Sequence, residues 1–171
     1  MPDPRPAVHT EPAIRVLFTA SQIQERVREM GLELARGLAG KNPLYVGVLK
    51  GACMFQADLA RATPVDLEMD FLAVASYGAG TVSSGHVQLI MDLRTDIRGR
   101  DVVLCEGVVD SGRSVKFILD LLESRGAASI QVATLLDKAP CRNALVTSSW
   151  MMRETFCAAW GDRRTCGPEA L

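Results

Sequence analysis

Apolar residues near the start of the chain recur every three or four positions between residues 19 and 40. This spacing is typical of one face of an amphipathic helix. The residues on this face are Ile23, Val27, Met30, Leu34 and Leu38. Thr19 and Gln22 precede the face with the spacing of a capping box, and Gly40 follows it. A helix is therefore predicted over this segment, with a role in packing.

Farther along the chain, short apolar runs predict buried strands. They cover residues 44–49, 67–75, 87–91, 102–109 and 130–136. Helical spacing follows the first run at Met54, Phe55, Leu59 and Ala60, and the fourth at Val115, Ile118, Leu119 and Leu122. This alternation predicts an α/β fold in which helices flank a mostly parallel sheet. The second and third runs flank a Gly- and Ser-rich segment, so they are predicted to pair as a long antiparallel hairpin with a flexible loop.

Composition limits the domain organisation and the class of function. A length of 171 residues with 48% hydrophobic residues suits one compact domain, which we place at 17–171. Residues 1–16 contain four prolines and are predicted to be a flexible arm. The net charge of −1 does not favour nucleic acid or membrane surfaces as partners. The five cysteines lack zinc-ligand spacing, and no apolar segment approaches the ~20 residues of a membrane span, so a cytoplasmic protein is expected.

The fourth apolar run leads into a loop whose residue types favour anion binding. Residues 110–114 combine an acid, two serines and a glycine immediately before a predicted helix. A helix N-terminus attracts phosphate, and the carboxyl ends of parallel strands form the usual ligand crevice. Glu106 and Asp110 would face that crevice as acceptors for ribose hydroxyls or a metal, or as a base. The alternative is a plain strand-to-helix turn in which Asp110 or Ser111 is the N-cap.

A second candidate loop follows the first apolar run. Lys50 and Gly51 stand at the end of that run, where a lysine is often only a solvated strand-end residue. Gly51 would let backbone N–H groups approach a phosphate, because no Cβ intrudes.

Four segments, in this order, resemble the type I phosphoribosyltransferases and in particular their hypoxanthine-guanine branch. They are Leu49-Lys50-Gly51, Ser76-Tyr77-Gly78, the stretch from Glu106 to Ser114, and Leu136-Asp137-Lys138. The resemblance implies a central mostly parallel sheet, a flexible hairpin loop and a small hood. It also implies a purine salvage enzyme that transfers the 5-phosphoribosyl group of phosphoribosyl diphosphate (PRPP) to N9 of hypoxanthine or guanine. The products would be IMP or GMP and pyrophosphate, the reaction would require Mg²⁺, and the protein would be a homodimer or homotetramer.

The same resemblance implies roles for individual residues. Asp110 would be catalytic, together with Ser76 and Tyr77 of a mobile loop that covers the substrate. The PRPP-binding residues would be Leu49, Lys50, Gly51, Glu106, Ser111, Gly112, Arg113 and Ser114. The purine would contact Lys138, Phe156 and Cys157, with Arg142 in support. Lys138 would donate to the exocyclic oxygen of a 6-oxopurine, which adenine lacks. Glu106 and Asp162 would be the carboxylates on the metal side.

Two departures from the family pattern bear on activity. Gly107 stands where the family has an Asp that accepts a hydrogen bond from a ribose hydroxyl, and such a bond contributes roughly 1.5–3 kcal/mol to binding. Residues 143–171, the expected hood, match the family only distantly. An alternative function is therefore a catalytically weak or inactive relative that binds purine nucleotide or PRPP in a regulatory or assembly role.

Overall fold

The structure, a computed structural model, describes residues 16–77, 86–137 and 150–152. Within these ranges the chain forms three helices and one six-stranded sheet. The helices are α1 (Ala20–Leu38), α2 (Cys53–Ala62) and α3 (Arg113–Ser124). The strands are β1 (Leu44–Leu49), β2 (Glu68–Tyr77), β3 (His86–Met91), β4 (Asp101–Val109), β5 (Ser129–Asp137) and β6 (Trp150–Met152). Every predicted strand and helix is present within one or two residues of its predicted limits.

The sheet has the strand order β3-β2-β1-β4-β5-β6. All neighbouring strands are parallel except β2 and β3, which form the predicted antiparallel hairpin. The predicted α/β fold with a mostly parallel sheet is therefore confirmed. The parallel strands bring the loops after β1, β4 and β5 to one edge of the sheet, which is where the candidate residues lie.

Helices cover both faces of the sheet. Side chains along a strand point alternately to its two faces, so a single strand contributes to the core on each side. On β4, Val103 and Cys105 pack with α1 and α2, whereas Val102 and Leu104 pack on the face that holds α3. All four side chains are buried. Hence the central strand reads as an unbroken apolar run, as expected for a parallel strand covered on both sides.

The predicted capping box at the start of α1 is present. The Thr19 side chain accepts a hydrogen bond from the Gln22 N–H, and the Gln22 side chain accepts one from the Thr19 N–H. Farther along α1, a Cβ on Gly31 would overlap the backbone carbonyl group of Ala62, the last residue of α2. The backbones of the two helices are therefore in direct contact at the end of α2.

Two predicted segments fall largely outside the described residues: the arm at 1–16 and the hood at 143–171, of which β6 is described. The boundary of the single domain at 17 therefore stays a prediction. None of the helices in the described ranges is long and apolar enough to cross a bilayer.

Candidate active site

The loop after β1 lies directly against β4. Gly47 pairs with Cys105, and two residues later β1 ends at Leu49, where the turn at Lys50 and Gly51 begins. The Leu49–Lys50 peptide bond is cis. A Cβ at Gly107 would lie 3.0 Å from the carbonyl oxygen of Gly51. The first and third of the four sequence segments are thus in contact, although more than fifty residues separate them.

The same loop exposes the groups that could meet an anion. Lys50 and Gly51 are exposed, and no atom lies within 4 Å of a Cβ placed on Gly51. The N-cap of the following helix is Ala52, which has no side chain that could accept a hydrogen bond from the first turn. The N-terminal end of α2 is therefore without a side-chain cap from its N-cap residue.

The loop between β4 and α3 has a comparable arrangement. The N-cap of α3 is Gly112, in the left-handed conformation with φ 78°. Neither Asp110 nor Ser111 is the N-cap, so the N-cap considered from the sequence for a plain strand-to-helix turn is wrong. Gly112 is buried, whereas Ser111 and Ser114 are half-buried and Asp110 and Arg113 are exposed. A glycine is required here because other residues rarely adopt a positive φ.

Glu106 is the half-buried carboxylate of this edge. Its Oε1 accepts a hydrogen bond from the Gly107 N–H at 2.9 Å. Burial raises the pKa of Glu106 to about 7, although hydrogen bonds from the N–H groups of Gly107 and Val108 act in the opposite direction. The carboxylate is therefore poorly solvated, and a bound cation or hydroxyl donor would favour its ionised form.

Two residues that lie in the quoted segments but received no individual role from the sequence also reach this edge. Val108 is an apolar side chain that is 44% exposed between Glu106 and Asp110, and it pairs with Leu136 of β5. Asp137 is buried at the end of β5, opposite Val109. The sequence signals that could have identified them are the position of Val108 between the acids Glu106 and Asp110, and the position of Asp137 at the end of an apolar run.

Comparison with known proteins agrees with this geometry. The profile of the phosphoribosyl transferase domain matches residues 18–161. The chain belongs to this family. It is 43% identical over 150 residues to the hypoxanthine-guanine phosphoribosyltransferase of Bacillus subtilis, covering 86% of this chain and 83% of that protein. The fold is also similar to the crystal structure of a hypoxanthine phosphoribosyltransferase from Staphylococcus aureus, with a TM-score of 0.77 and 39% identity over 80% of this chain and 74% of that one.

A further relative is longer. The bifunctional protein TilS/HprT of Listeria innocua is 46% identical over 137 residues, which are 80% of this chain. This phosphoribosyltransferase chain spans 21% of the length of that relative.

The two residues that were predicted to lie in a mobile loop, Ser76 and Tyr77, lie instead in strand β2 of the β2–β3 hairpin. Ser76 and Tyr77 are the last two residues of β2 and pair with Val87 and His86. The strand extends this far because antiparallel pairing continues to the start of β3. The last pair between β1 and β2 is Leu49 with Ala73, so Tyr77 lies about 13 Å farther along β2 at ~3.3 Å per residue. The hairpin therefore projects beyond the edge that carries Lys50 and Glu106.

The remaining predicted residues lie outside the described part of the chain. They are Lys138, Arg142, Phe156, Cys157 and Asp162. Their roles in binding the purine or a metal stay predictions. Across residues 16–77 and 86–137, no three His, Cys, Asp or Glu side chains are arranged so that they could hold a metal ion.

Proposed function

We propose that this protein is a hypoxanthine-guanine phosphoribosyltransferase, which transfers the 5-phosphoribosyl group of PRPP to N9 of hypoxanthine or guanine and releases pyrophosphate. The observation that supports this most directly is the contact between Gly107 and Gly51. This contact brings the Lys50–Gly51 loop next to the segment from Glu106 to Ser114, which supports a single site formed by both. In the type I phosphoribosyltransferases that the chain resembles, these two segments hold pyrophosphate and the rest of PRPP.

The two loops suit the two anionic groups of PRPP. PRPP carries a 5′-phosphate and a diphosphate, and α2 and α3 both begin at this edge with N-cap residues that have no capping side chain. Backbone N–H groups and the helix dipole favour a phosphate at such a position. We assign the 5′-phosphate to Ser111, Gly112, Arg113 and Ser114, and the diphosphate to Leu49, Lys50 and Gly51.

Glu106 is assigned to the ribose hydroxyls and to the metal side of the site. Magnesium usually binds proteins through one or two carboxylates together with substrate oxygens, and a single half-buried carboxylate fits this pattern better than a preformed metal cage. We therefore propose that Glu106 would help to hold a Mg²⁺ ion that is bound to PRPP, and that the ion would supply positive charge beside the diphosphate. Asp162 would be a second carboxylate on that side.

The reaction needs stabilisation of the leaving group, a proton acceptor and exclusion of water. Lys50 and the loop amides would stabilise the charge that develops on the diphosphate as its bond to the anomeric carbon breaks. Asp110 would accept the proton of purine N7, or stabilise it by a hydrogen bond, as positive charge develops on the ring. The β2–β3 hairpin, with Ser76 and Tyr77 at the end of β2, would cover the site and exclude water.

The purine would lie between β4 and the segment that follows β5. The exposed Val108 side chain offers an apolar surface beside Asp110 on which a base could pack. Lys138 would donate to the exocyclic oxygen, Phe156 and Cys157 would contact the ring, and Arg142 would support the site. We also propose that the protein acts in the cytoplasm and forms a homodimer or homotetramer, which light scattering after gel filtration would test.

The test of this function is nucleotide formation. The purified protein is incubated with PRPP, Mg²⁺ and hypoxanthine, guanine or adenine, and the nucleotide and pyrophosphate are quantified. We expect IMP and GMP but no AMP. Asp110→Asn should lower kcat by about 10²–10⁴, whereas Asp120→Asn, on the exposed side of α3, should not. Tight binding of GMP without any nucleotide formation would refute the enzyme and support a binding protein.

A further inference from the structure

A buried glutamine connects α2 to the sheet. Gln56 is 0% exposed, although glutamine is a residue type that is mostly found on surfaces. Its Nε2 donates to the carbonyl oxygen of Tyr45 on β1 at 2.9 Å and to that of Asp70 on β2 at 3.2 Å. One side chain therefore attaches α2 to two neighbouring strands.

The side-chain amide of Gln56 occupies the space beside Gly47 of β1, where any other residue would place a Cβ. A Cβ at Gly47 would overlap Oε1 of Gln56 and would lie 2.8 Å from its Cδ. Oε1 is buried and has no hydrogen-bond partner among the described residues. A buried acceptor without a partner is unfavourable for folding, so an apolar side chain of similar length would suit stability better. The amide is therefore better explained by the position in which its two donors hold α2.

The position of α2 affects the Lys50–Gly51 loop, which lies immediately before this helix. The Gln56 N–H donates to the carbonyl oxygen of Ala52 at 2.8 Å, and the Ala52 N–H donates to that of Val48 at 3.1 Å. The carbonyl oxygen of Gly51, which lies between them, is packed close to β4, because a Cβ on Gly107 would lie only 3.0 Å from it. A rise of the first turns of α2 from the sheet would therefore carry the Lys50–Gly51 loop with it.

The far end of α2 is attached by a different set of contacts. Thr63 Oγ1 donates to the carbonyl oxygen of Leu59 at 2.7 Å and accepts from Tyr45 Oη at 3.0 Å. Thr63 is buried, as Gln56 is, but it lies a whole helix away from the loop. The chain thus offers a matched pair of buried polar attachments, one near the loop and one remote from it.

We infer that Gln56 is a positioning residue for the diphosphate end of the site. By holding the start of α2 on β1 and β2, it fixes the height of the Lys50–Gly51 loop above the edge of the sheet. This inference rests on the proposed function. Loss of the two donors lets the loop move, and a misplacement of about 1 Å in a binding group can lower the rate by about 10²-fold.

The experiment compares Gln56→Met, which keeps the length and removes the donors, with Thr63→Val as the control. The measurements are KM for PRPP, KM for hypoxanthine, Kd for pyrophosphate with Mg²⁺ by calorimetry, and Tm. We expect Gln56→Met to raise KM for PRPP and Kd for pyrophosphate about tenfold, with KM for hypoxanthine within about twofold of the native value. Thr63→Val should lower Tm but leave all three constants unchanged.

Equal changes in both variants, or an unchanged KM for PRPP in Gln56→Met, would overturn the inference. If Gln56→Met does not fold, Gly47→Ala is judged by the same criteria, because its methyl group displaces the amide from the other side. A native protein that forms no nucleotide would refute the proposed function, and this inference with it. A native protein that is active alongside a Gln56→Met variant with normal PRPP kinetics would refute the inference alone.

Discussion

Replacement of Gly107 by Asp sets two effects of known direction against each other. The added carboxylate could accept a hydrogen bond from a ribose hydroxyl, which contributes about 1.5–3 kcal/mol to PRPP binding. The added Cβ would lie 3.0 Å from the carbonyl oxygen of Gly51 and 3.4 Å from its carbonyl carbon, so the loop must move by a few tenths of an ångström. Overpacking costs about 1–3 kcal/mol, and a shift this small in an exposed loop belongs at the lower end, about 1 kcal/mol. The favourable effect is larger, so we expect a net gain.

Comparison with Gly107→Ala separates the two effects, because alanine adds the Cβ without the carboxylate. At about 1.4 kcal/mol per factor of ten, kcat/KM for PRPP should fall about fivefold in the alanine variant. The aspartate variant should exceed the alanine variant by about 10- to 150-fold, and the native protein by about two- to thirtyfold. Steady-state rates of IMP formation at varied PRPP provide the measurement. An aspartate variant no better than the alanine variant would refute the assignment of this position to the ribose.

Three further outcomes follow from the geometry. Burial raises the pKa of Glu106 to about 7 from an ordinary 4.5. Between these two pH values the unfolded chain has released the proton that the folded protein still holds, so the free energy of unfolding falls as pH rises from 4.5 to 7. Glu106→Gln should therefore be more stable than the native protein by about 1–3 kcal/mol at pH 8 and similar to it at pH 4.5, as measured by urea unfolding without ligand; an equal difference at both pH values would contradict this. Tyr45→Phe removes the hydrogen bond to Thr63 and should lower the free energy of unfolding by about 0.5–1.5 kcal/mol without changing KM for PRPP, and a changed KM would count against the separation of the two ends of α2. Gly112→Ala places a Cβ at φ 78° and should cost about 1–2 kcal/mol of stability in thermal unfolding, and an unchanged Tm would show that the turn relaxes.

Much of the fold could be predicted because it depends on local patterns. The apolar stripe and capping box of α1, the run 44–49 and the hairpin all depend on spacing within a few residues. Residue types also marked the edge of the sheet where Lys50, Glu106 and Asp110 lie, since they follow strands that a βαβ order makes parallel. The family resemblance supplied the chemistry that these positions suggest.

Other features depend on which distant segments meet when the chain folds. The position of Gln56 between two strand carbonyls, the absence of room at Gly47, and the contact of Gly107 with Gly51 join residues that no periodicity relates. Burial, which raises the pKa of Glu106, is likewise set by everything packed around the side chain. Short-range order is encoded in neighbouring residues, whereas the fit of the loop on β4 results from steric exclusion and desolvation between parts of the chain that become neighbours in the folded protein.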